Sequence, residues 1–169
     1  MRLPRRPAFA VLALPLAAAA ARADDGTAIG RWQYSQRSEA GGIFATAVLP
    51  GEDAGSKLIL QCIPSAESKD LFLAVGAERA MDFKTKGAGT IVVDQDPPTE
   101  AHWAFLEKLI ILNETDKPGY NADLMRRLAT ASTLKVSTPA ADGSTFTAHF
   151  VLDRVADVVT RLFGACAVE

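Results

Sequence analysis

Cys62 and Cys166 are the only cysteines of the chain, and most of the folded part lies between them. Lys57-Leu58-Ile59-Leu60-Gln61-Cys62 reads as a strand, and a period of two puts Leu58, Leu60 and Cys62 on one face. Near the C-terminus Leu152, Val155, Val159, Leu162 and Cys166 recur at spacings of three and four. That spacing is the buried stripe of an amphipathic helix, expected over Asp153 to Phe163 with Asp153 and Asp157 as cap and surface charge and Gly164 fraying its end. A helix laid across the sheet brings the two thiols together where its end passes over the strand. A chain closed by such a bond has few ways to arrange the rest.

The N-terminus sets the redox setting for that pair. Arg2, Arg5 and Arg6 precede an apolar stretch from Ala8 to Ala21, and Ala21-Arg22-Ala23 is an A-x-A cleavage site before Asp24. Residues 1–23 therefore read as a signal peptide, leaving 24–169 as a single globular domain in the periplasm or secreted. The apolar stretch is shorter than the ~20 residues of a membrane span. An even cysteine pair in an exported chain reads as a disulfide, Cys62 to Cys166. Removing Arg2, Arg5, Arg6 and Arg22 from the 18 basic residues leaves 14 against 20 acids, a net charge of −6. Such a chain lacks the basic field that phosphate backbones need, so nucleic acid is not an expected partner. The mature part holds no apolar run of spanning length, so no membrane insertion is expected either.

Between these ends the chain alternates short apolar runs with polar turns. Trp32 to Ser35, Ile43 to Leu49, Lys57 to Cys62 and Asp70 to Val75 read as strands, with turns at Ser38–Gly42, Gly51–Ser56 and Pro64–Lys69. Thr90 to Val93 is another strand, and Gly87-Ala88-Gly89-Thr90 before it reads as a turn. His102 to Leu112 fits either a helix, with Trp103, Leu106 and Ile110 on one face, or two strands turning at Glu107-Lys108. The β-branched pair Ile110-Ile111 tips it toward strands. Asn121 to Ala131 reads as a short helix capped by Asn121, with Leu124, Leu128 and Ala131 inward and Arg126 and Arg127 nearer solvent. Thr133 to Ser137 and Thr145 to Val151 complete the strands, the latter with Phe146, Ala148 and Phe150 inward. The expected class is α+β or mainly β: an antiparallel sheet or small β-sandwich with the C-terminal helix packed on it.

No constellation in the sequence carries chemistry. His102 and His149 have no second histidine or cysteine at the spacing a zinc site needs, and read as surface residues. No G-x-S-x-G elbow occurs, and Gly87-Ala88-Gly89-Thr90 lacks the Gly-Lys-Ser/Thr ending of a phosphate loop. Asp94 and Asp96 lack the spaced acids of a calcium loop and read as a solvated turn before Pro97-Pro98. Trp32 and Trp103 read as core or edge aromatics, with a sugar-stacking platform as the alternative. No catalytic, cofactor or metal residue is assigned; the only site pair is the disulfide.

The ordered pattern resembles small exported bacterial proteins that include the VasI/TagO-like type VI secretion-associated group. It runs from Trp32 through Leu58-x-Leu60-x-Cys62, the strand Leu71 to Val75, Val92-Val93-Asp94 to Trp103, Leu134-x-Val136 and Phe150-x-Leu152 to a helix ending in Cys166. Asp153-Arg154 stands where that group carries a glycine, and Gln61 where it carries a basic residue. The resemblance implies the fold and the cysteine pair, and brings no catalytic residue. The expected function is that of a non-enzymatic periplasmic binding or accessory protein with a protein partner in the cell envelope, an envelope-spanning assembly being one such setting. An inhibitor or immunity-type protein against a cell-wall-acting enzyme is the alternative, and a hydrolase the third reading.

Overall fold

Alternation decides the architecture. In a computed structural model of the chain, residues 26–39, 42–64, 69–77, 86–106, 108–112, 119–140 and 143–167 are described. The leader expected over residues 1–23 lies outside them. Among these described residues ten strands form: β1 Thr27–Ile29, β2 Trp32–Glu39, β3 Gly42–Pro50, β4 Lys57–Pro64, β5 Lys69–Gly76, β6 Lys86–Val93, β7 Thr99–Leu106, β8 Leu109–Leu112, β9 Thr133–Pro139 and β10 Thr145–Val151. Two helices accompany them, α1 Tyr120–Leu128 and α2 Val155–Cys166. All pairings are antiparallel and make one continuous sheet in the order β1-β2-β3-β4-β5-β8-β7-β6-β9-β10, so the chain takes the sheet and not the sandwich.

One face of every long strand is inward. Trp32 and Tyr34, Ala45, Ala47 and Leu49, Leu58, Leu60 and Cys62, Leu71, Leu73 and Val75 are all buried. Ile91 and Val93, Ala101 and Trp103, Ile110 and Leu112, Leu134 and Val136, Ala148 and Phe150 continue that surface into a single core. The sheet is curled, because its last strand returns to the loop after its third: Glu52 N donates to His149 O at 2.8 Å, and Trp32 Nε1 to Asp153 O at 2.8 Å.

Helix α2 lies on the inner face against β3, β4 and β5, with Val155, Val158, Val159, Leu162, Ala165 and Cys166 buried. Its last residue is bonded to Cys62 on β4, the Cα atoms 5.6 Å apart across 104 positions. Each buried aliphatic side chain on that stripe contributes about 1.5–3 kcal/mol. Helix α1 packs beside α2 and against β5, burying Leu124, Met125 and Leu128. The strand alternative for residues 102–112 is the one the chain adopts, as β7 and β8.

Four local expectations are corrected. Asn121 does not cap α1; Gly119 does so at φ 79, and Asn121 is buried in the first turn, donating Nδ2 to Leu71 O at 2.9 Å. That bond ties the side chain to β5 inside the core, past the position where a cap would stand. Gly87–Thr90 is not a turn but part of β6. A Cβ at Gly89 would lie 2.3 Å from Ser137 O and 2.9 Å from Trp103 Nε1, so the missing side chain makes room for the neighbouring strand and the indole. Helix α2 begins at Val155, behind Arg154 at φ 53, because the Asp153 carbonyl is held by Trp32. Gly164 lies inside α2, which runs on to the disulfide-held Cys166.

Candidate functional site

A base beside a carboxylate is the minimum of hydrolytic chemistry, and each histidine has a carboxylate near it. His149 Nδ1 lies 3.2 Å from Asp53 Oδ2, and the same oxygen accepts the His149 backbone N–H at 2.7 Å. His102 Nε2 lies 3.7 Å from Glu100 Oε1. Both pairs are about half exposed or more, out on the surface of the sheet. A cleft of about 350 Å³ lies elsewhere, between β1 and the start of α2, lined by Ala28, Ile29, Arg154, Asp157, Thr160 and Arg161. Within it Arg154 is already paired to Asp157 at 2.7 Å, and Arg161 sits 5.5 Å from the Tyr34 ring.

Among the described residues no group of three His, Cys, Asp or Glu could hold a metal ion. Asp94 is structural. At φ 51 its Oδ1 accepts the backbone N–H groups of Ser132 and Thr133, both at 2.8 Å, and the Thr133 hydroxyl at 3.2 Å. The two backbone donors hold its carboxyl below the usual carboxylate range. Asp96 pairs with Arg127 at 3.0 Å. The turn is exposed, as expected, and is also tied to the start of β9 and to α1. Trp32 and Trp103 are fully buried, which removes the sugar-stacking alternative for both.

The feature that does stand out is the outer face of the sheet. The inward set of each strand leaves Phe44 and Val48 of β3, Ile59 and Ile63 of β4, Phe72 and Ala74 of β5, Leu109 and Ile111 of β8, and Ala104 and Leu106 of β7 pointing away from the helices. Strand register aligns Val48, Ile59, Ala74, Ile111 and Ala104 as direct neighbours in one row across five strands. At ~4.8 Å per strand the row is about 19 Å long. Ala74 is buried and the other four are partly exposed, and contiguous apolar surface on a soluble protein often marks an interaction site. Leu106, 58% exposed, is its most open member.

The rim carries both signs. Arg37 stacks over Phe44 at 4.2 Å and pairs with Glu39 at 2.7 Å, and Lys57, Asp70, Glu100 and His102 stand further round. A mixed rim around an apolar centre matches another protein surface better than an anionic lipid surface, which selects a purely basic border. The sequence held a signal for this face. Leu58-Ile59-Leu60, Leu71-Phe72-Leu73-Ala74-Val75 and Leu109-Ile110-Ile111-Leu112 are apolar at both parities, the pattern of strands whose two faces are both to be covered. Reading only the inward parity misses it.

No helix among the described residues is long and apolar enough to cross a membrane. Comparison with protein-family models, with curated proteins and with solved structures finds no match to this chain.

Proposed function

We propose that the chain is a non-enzymatic binding or accessory protein of the periplasm or secreted space, which holds a protein partner in the cell envelope. The observation that carries the reading is the apolar row Val48–Ile59–Ala74–Ile111–Ala104 on a face that both helices leave uncovered. An apolar sheet face with a polar rim gains free energy by covering itself, and it offers no group that breaks or makes a bond. The disulfide supports an oxidising setting. The −6 charge of residues 24–169 supports a partner other than nucleic acid.

The test uses the mature protein in its native host. Leu106→Asp puts a charge on the most exposed part of the face without touching the core, so the fold and the disulfide should survive. The envelope protein recovered with the parent chain should be lost from this variant. Replacing His102 and His149 together with alanine should leave that recovery and the biological activity intact. Loss of activity in the histidine variant, with its fold preserved, would replace the binding reading with a catalytic one.

A further inference from the structure

The two ends of the sheet are protected to very different degrees. At one end β1 is three residues long and is followed by Gly30-Arg31, and the part of β2 that β1 does not cover carries Arg37 and Glu39. Short edges and charges are how sheets avoid stray pairing. At the other end, β10 reads Thr-Phe-Thr-Ala-His-Phe-Val, with no Lys, Arg, Asp, Glu, Pro or Gly.

Hydrogen-bond parity shows which of its backbone groups are open. Leu152 N donates to Ser132 O and Ala140 N to Ser144 O, each at 2.8 Å, so the even positions from 144 to 152 face β9. Thr145, Thr147, His149 and Val151 therefore turn N–H and C=O off the sheet. At His149 both groups are taken, by Asp53 Oδ2 and Glu52 N, as a neighbouring strand would take them. That contact shows that the edge accepts a partner in the plane of the sheet. Thr145 and Thr147 have no such partner among the described residues.

We propose that the β10 edge at Thr145–Thr147 takes up an extended segment of the partner polypeptide as an additional strand. The proposal rests on the binding reading above and names the second contact of that complex. Alternating donors and acceptors along an edge are matched by an extended backbone and by no lipid or nucleic acid. The added strand would set one side chain beside the half-buried Phe146 and its neighbours beside Thr145 and Thr147, so a segment alternating an apolar residue with Thr or Ser fits. A second copy of this chain is the poorer occupant. Pairing through three residues buries a few hundred Å² where a stable interface needs about 1,200 Å², and each copy's loop at Glu52-Asp53 would block a longer match.

The test is amide hydrogen exchange on the disulfide-intact mature protein, alone and with the peptide acetyl-Thr-Val-Thr-Val-Thr-amide. Alone, the Thr145 and Thr147 amides should exchange at least about tenfold faster than those of Phe146 and Ala148, and peptide should slow them by about tenfold. Thr147→Pro removes an outward N–H while leaving the β9 ladder intact, and should abolish the protection. Thr147→Lys, which keeps the backbone and adds a guard charge, should do the same if the proline variant fails to fold. Leu106→Asp should leave the peptide effect unchanged, so that failure of the edge and failure of the outer face are read separately. Slow exchange at Thr147 without peptide, no protection with it, or protection that grows with protein concentration alone would each overturn the proposal.

Discussion

Cys62 and Cys166 meet in the core, one at the buried end of an alternating strand and the other at the end of the buried helical stripe, 104 positions apart and with Cα atoms 5.6 Å from each other. Closing a loop of about 100 residues removes up to ~4.7 kcal/mol of unfolded-chain entropy. A domain with a net stability of about 5–15 kcal/mol depends on a contribution of that size. Replacing both cysteines with alanine should cost about 2–5 kcal/mol in denaturant unfolding. Alkylation of the native protein without reductant should label no thiol. Two labelled thiols in the folded protein would contradict the pairing.

Two glycines should respond to alanine with opposite sign. Gly89→Ala drives a Cβ against Ser137 O, a backbone atom that cannot move without breaking the β6–β9 pairing. It should cost roughly 1–3 kcal/mol. Gly164 lies within α2 with no atom within 4 Å of a Cβ placed there, so Gly164→Ala should stabilise by roughly 0.5–1 kcal/mol. Thermal unfolding of the two variants beside the parent reads both signs at once.

Much of this fold was legible because its signals are repetitive. Leu58-x-Leu60-x-Cys62 repeats with period two and Leu152 to Cys166 at threes and fours, and each pattern survives any local exception. The misreadings fall where a distant residue decides. Asn121 carries a good capping signal, but Leu71 O, fifty positions away, takes its amide. Gly87 and Gly89 signal a turn, yet β6 needs a bare Cα under Trp103. β1, Thr27–Ile29, has too few residues to show any period and exists through its pairing with β2. The outer apolar face was written in the both-parity strands, but only their register reveals that Val48, Ile59, Ala74, Ile111 and Ala104 form one row.

Asp94 gives the molecule a defined acid response. Its pKa is lowered on folding, chiefly by the Ser132 and Thr133 backbone donors. A depressed carboxylate stabilises above its unfolded pKa, about 3.9, and that stabilisation is lost as pH falls through the folded value. Asp94→Asn tolerates the φ of 51 and keeps an acceptor oxygen, but has no charge to lose. The parent should therefore unfold at a higher temperature than the variant near neutral pH, and the gap should close below about pH 4. A gap that persists unchanged into acid would assign the effect to shape and not to the carboxylate.

If the outer face of the sheet holds the proposed partner, a photo-crosslinking residue placed on that face in living cells will capture it. With the crosslinker at Leu106, beside the apolar row, irradiation should give one discrete adduct with an envelope protein. With the crosslinker at Thr160, exposed on α2 at the far side of the molecule's sheet, the same cells should give none. An adduct from Thr160 with nothing from Leu106 would contradict the assignment of the binding face, and the absence of any adduct from Leu106 would leave the apolar row without the partner this account requires.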